Sequence, residues 1–113
     1  MKISSYKDYI KTSDKPMVDD YVICDDSLPE VSEFVNNSIG VIVMLEHDKN
    51  GNIEYVVEYD NIPEDIISEF EHKYYGMGNG YGYCRNMLVY EIIYWSKNKE
   101  DVEEYLTEKK YNL

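Results

Sequence analysis

The chain has no apolar run long enough to cross a bilayer. Its longest, residues 39–45, holds seven residues, whereas a spanning helix needs about 20. An apolar stretch of signal-peptide length is equally missing at the N-terminus, where Lys7, Asp8 and Lys11 recur, so a soluble protein resident in the cytoplasm is expected. Cysteine is scarce: Cys24 and Cys84 each stand alone, which encodes neither a zinc knuckle nor a redox pair, and reduced buried thiols are the expectation. Histidine is limited to His47 and His72, and neither belongs to a serine or cysteine nucleophile motif. In the run Glu46, His47, Asp48, successive strand residues face opposite ways and cannot share one metal ion. No catalytic residue, metal site or cofactor is expected.

Basic residues are also scarce where it matters most. Between Asp19 and Glu71, fifteen acids stand against one base, Lys49, while the rest of the chain holds eight acids and ten bases, for a net charge of −12. A field of that sign repels nucleic acid and anionic membranes, because binding to phosphates depends on Lys and Arg. It attracts basic surfaces over roughly 8 Å at physiological salt.

What is present is centred on residues 39–59. Ile42 and Met44 precede a turn of Asp48, Lys49, Asn50 and Gly51, and Ile53, Tyr55, Val57 and Tyr59 alternate with Glu54, Val56 and Glu58 beyond it. This pattern predicts a β-hairpin whose odd second-strand positions face the core. Ile42 and Met44 are expected on that same face. Val41, Val43 and Leu45 then point the other way and need a second cover, such as a terminal helix, or a sharply bent strand.

Around the hairpin, residues 4–11 suit a short helix and residues 18–24 a first strand of about five residues. Ser27 suits a helix cap, with Pro29 in the first turn and Val31, Phe34 and Val35 at helical spacing, which predicts a helix over residues 29–36. Pro63 opens a further short helix with Ile66, Ile67 and Phe70 on its apolar side. Glycines 76, 78, 80 and 82 mark a flexible loop; no Lys-Ser/Thr pair follows them, so they do not form a phosphate loop. Residues 84–95 read as one or two strands. Asn98, with Asp101 in a capping-box arrangement, starts a final helix buried through Val102, Tyr105 and Leu106.

This order is strand, helical loop, hairpin, long loop, strand, strand, helix. Together with DYVICDD (residues 20–26), IGVIVMLEHDKNGNIEYVVEY (39–59) and YCRNMLVYEIIYW (83–95), it resembles the small SH3-like barrel proteins of bacteriophage and other viral genomes. The resemblance covers residues 18–95. It implies an α+β fold: a small SH3-like antiparallel β-barrel of about five strands with short helical insertions and a C-terminal helix. The whole, residues 1–113, is one domain: an N-terminal helix or arm (1–17), the barrel (18–95), and a C-terminal helix and tail (96–113). The resemblance implies no activity, and the ALYDY-like start of peptide-binding SH3 domains is missing.

The candidate site is therefore a surface. Asp25, Asp26, Glu30 and Glu33 follow the first strand, and Asp60, Glu64, Asp65 and Glu69 follow the hairpin; a sheet that brings these segments together makes one acidic face. Tyr81 and Tyr83 add an aromatic contact. The expected function is that of a non-enzymatic interaction protein, phage-encoded in keeping with the resemblance. It would dock on a basic surface of a nucleic-acid-binding host protein, such as a nuclease or defence complex, and inhibit it as a nucleic-acid mimic. The alternative is an assembly module of a viral particle or a homo-oligomer. Direct binding to nucleic acid or membrane is not expected.

Overall fold

The computed structural model describes residues 15–75 and 80–111. The helix expected over residues 4–11 and most of the glycine loop lie outside them. The central hairpin forms as its composition demands. β1 (Tyr21–Cys24) precedes it, and β2 (Gly40–His47) pairs antiparallel with β3 (Ile53–Tyr59). In the connecting turn, Asp48 Oδ1 accepts the N–H groups of Asn50 and Asn52 at 2.8 and 2.9 Å, and Gly51 adopts φ 85°, a conformation that costs glycine little.

Five further elements complete the described chain besides β1, β2 and β3, apart from single 3-10 turns. They are α1 (Pro29–Asn36), β4 (Glu71–Tyr74), β5 (Tyr81–Met87) and β6 (Ile92–Ser96), followed by the terminal helix α2 (Lys99–Tyr111). All pairings are antiparallel, in the order β4-β5-β3-β2-β1-β6. The expected closed barrel of about five strands is corrected to an open sheet of six. The added strand is β4, whose four residues, Glu-His-Lys-Tyr, carry no apolar alternation for a sequence reading to detect. The two end strands, β4 and β6, do not pair with each other. The core face is covered by α1 and residues 62–70.

That face buries Val22, Cys24, Ile42, Tyr55, Val57, Tyr59, Met87 and Ile92 against Val31 and Val35 of α1 and Ile66 and Phe70 of the connecting segment. Phe34, Tyr59 and Phe70 meet edge to face in a triangle with centroids 5.6 to 6.0 Å apart, which fixes α1 beside residues 62–70. The predicted stripe of α1 is thus in place, but Ser27 does not cap it. Leu28 holds the cap position, and its N–H donates to Asp26 Oδ1 at 3.0 Å.

The opposite face is covered at one end only. There α2 packs Val102, with Tyr105 and Leu106, on Ile23 and Tyr94, and the Tyr94 and Tyr105 rings lie parallel at 4.5 Å. This supplies the second cover that the apolar strands require. The strand bends as well: the register shifts between Ile42 and Met44, so Ile42 pairs with Val57 but Met44 with Val56. One residue of slip reverses the faces. Met44 therefore leaves the core face where it was expected, and Leu45 takes the position opposite Tyr55, 41% exposed. At the start of α2, Asp101 does not complete a capping box. Its carboxylate accepts the Ser96 hydroxyl at 2.8 Å, and the Ser96 oxygen accepts the Asn98 N–H at 3.1 Å. Lys109, from the last turn of α2, donates to the carbonyl and side-chain oxygens of Asn36 and so neutralises the C-terminal end of α1.

Candidate functional site

The first acidic segment leaves β1 at Cys24 and becomes α1; the second leaves β3 at Tyr59 and runs to β4. Both lie over the same sheet face because their apolar residues share one core. A long-range ion pair draws them closer. Arg85 of β5 donates through Nε and Nη2 to both carboxylate oxygens of Asp26, at 2.6 and 2.9 Å, and through Nη1 to the carbonyl of Glu69 at 2.7 Å. One guanidinium thus ties the start of the first segment to the end of the second.

This bond changes the role of Asp26. Its side chain is 3% exposed, and its charge is spent on Arg85. Burial by itself would raise the Asp26 carboxyl, but the Arg85 hydrogen bond and the N–H of Leu28 outweigh it and hold the group below its ordinary value. Asp26 is a strut of the acidic face rather than part of its surface. The other acids stay outside. Glu30 and Glu33 lie on the exposed side of α1, Asp60, Glu64, Asp65 and Glu69 are exposed on the second segment, and Asp25 is exposed while accepting the Asn36 amide at 2.8 Å.

Tyr81 and Tyr83 continue this face toward the end of the sheet. Tyr83 stands opposite Tyr59, and directly opposed residues share a face. The pairings Tyr74 with Tyr81 and His72 with Tyr83 bring two more rings, neither of which is among the site residues expected from the sequence. The His72 ring lies 5.4 Å from Tyr81 and 4.8 Å from Tyr83, and Tyr74 lies 4.9 Å from Tyr81. Cross-strand pairing was the signal that would have found them, and it required knowing that β4 exists.

Acids on the opposite face are differently disposed. Glu46 accepts Lys73 Nζ at 2.8 Å and the Asn86 amide at 3.2 Å, Glu54 accepts the same amide at 2.9 Å, and Glu58 accepts the Tyr75 hydroxyl at 2.7 Å. The Lys73 hydrogen bond lowers the Glu46 carboxyl, and burial together with Glu58 pushes the Tyr75 hydroxyl up to about 12. Here acids are joined into a network, so this face offers less free charge than the other. Cys84 sits on it, and Cys24 on the core face. Burial raises both thiols, to about 11 and about 12, and both are free. Among the described residues no cluster of His, Cys, Asp and Glu fits a metal ion, and no helix is long and apolar enough to cross a membrane. Compared with protein-family models, curated proteins and solved structures, the chain matches none.

Proposed function

We propose that the protein is a non-enzymatic acidic interaction module that docks its α1 and 60–69 face on a basic surface of a nucleic-acid-binding protein and occupies the Lys and Arg that would hold phosphates. The observation that carries this reading is the Arg85 clamp. It spends one buried acid, Asp26, to set two segments side by side whose remaining carboxylates point to solvent. The paired acids of the other face, and Asp20, which is buried against Lys97 at 3.1 Å, supply the contrast. Preorganised charge of one sign raises the association rate and makes binding sensitive to salt.

The test is capture from a cell lysate at low and at high salt, with duplex DNA added as competitor. The expected result is a set of nucleic-acid-binding proteins, released by salt and by DNA, and absent when Asp25, Glu33, Glu64 and Asp65 are changed to Asn or Gln. Capture indifferent to salt, or retained by that variant, contradicts the proposal. A second reading, a self-assembling module, draws on one observation, the edge of β4, which no strand among the described residues pairs on its outer side. Against it, each copy carries −12, so copies repel at low salt.

A further inference from the structure

The two end strands differ. β6 buries Ile92 on the core face and Tyr94 on the other, where α2 packs over it. β4 has a hydrogen-bonded neighbour on one side only, among the described residues, and its main-chain donors and acceptors on the other side form a template for a further strand. Beside that edge stands the ring ladder: Tyr74 is 52%, Tyr81 58% and Tyr83 40% exposed, with His72 stacked among them. The rings brace one another, so little side-chain freedom remains to be lost on binding.

Charge decides what fits there. Both cations near this edge are engaged elsewhere: Lys73 lies on the opposite face with Glu46, and Arg85 is held by Asp26. Asp60, next to Tyr59, and Glu69, just before β4, are exposed; Glu69 shares the field of Arg85, whose guanidinium is already bound to Asp26, so the carboxylates beside this edge outnumber the cations among the described residues. Aromatic faces in a field of carboxylates attract cations, above all the planar guanidinium. We infer that β4 receives an extended arginine-rich segment of a partner protein as a seventh strand, with guanidinium groups laid over Tyr74 and Tyr81. The partner's positive charge is taken from the acidic-docking reading above; the mode of contact is additional to it.

A blocked peptide of alternating arginine and valine, titrated calorimetrically into the full chain, tests the inference. Binding is expected for this peptide and not for its glutamate counterpart. Changing Tyr74 and Tyr81 together to Leu lowers the affinity about tenfold while the Phe pair retains it, because Leu keeps apolar area but removes the ring face. Methylating alternate peptide nitrogens lowers it as well, since an added strand depends on main-chain hydrogen bonds. No binding, equal affinity of the Leu and Phe pairs, or indifference to methylation each overturns the inference. The four-carboxylate variant separates the two ideas. If it loses lysate capture while the tyrosine pairs prove irrelevant, the acidic-face reading stands and the strand addition falls. If it retains capture while the Leu pair loses the peptide, the reverse holds. A dimer in sedimentation that the Leu pair dissolves assigns the edge to a second copy and also overturns the inference.

Discussion

Arg85 joins three separate stretches of the chain, its own strand and the segments of Asp26 and Glu69. It neutralises Asp26, which is withdrawn from solvent, and it satisfies the Glu69 carbonyl. Replacing it with Gln leaves a buried carboxylate without its cation. The expected cost is about 2 kcal/mol at neutral pH, read by urea unfolding. The dependence on pH has a definite sign. Because the folded state lowers the Asp26 carboxyl, its contribution is complete above the ordinary aspartate value and fades as the pH falls through the lower folded value. The gap between wild type and Arg85→Gln therefore narrows in acid, below about pH 4. A gap that is constant from pH 7 to pH 3 would show that Asp26 is not the group involved. Nothing in the sequence links Asp26 to Arg85, since their 59-residue separation carries no local pattern. Asp26 therefore reads as one more member of an acidic surface.

At the scale of elements, patterns that depend on near neighbours were legible and patterns that depend on register were not. The hairpin turn, the Val31 and Val35 stripe of α1 and the Val102 stripe of α2 each follow from spacing within a few residues, and Val31, Val35 and Val102 are buried as that spacing requires. The bulge after Ile42 is a matter of register between β2 and β3, which no local spacing encodes, and it puts Met44 on the other face. β4 gains its place only through pairing with β5. Gly40 shows how tight the resulting core is. A Cβ there would lie 2.4 Å from Val57 Cγ1 and 2.8 Å from the Tyr59 ring. Gly40→Ala is accordingly expected to destabilise the protein by about 2 kcal/mol through overpacking, measured by thermal or chemical unfolding. Unchanged stability would mean that the Tyr59 ring, and the aromatic triangle it belongs to, shifts freely.

Taken whole, the molecule is an open antiparallel sheet with unequal faces. One face gathers unspent carboxylates on α1 and residues 60–69 and continues into exposed tyrosines; the other is covered at one end by α2 and carries a network of paired acids. The concentration of acids between Asp19 and Glu71 was visible in the sequence, and so was the prospect that their two segments meet. Which acids are free was not visible, because that depends on Arg85, Lys73 and Asn86 reaching them from distant strands. Carbodiimide labelling of carboxylates, read by mass spectrometry with and without a basic nucleic-acid-binding protein recovered by capture, tests the central claim most directly. The account predicts that Glu30, Glu33, Glu64 and Asp65 lose their labelling in the complex while Glu46, Glu54 and Glu58 do not change. Protection of the second set, or of neither, would contradict it.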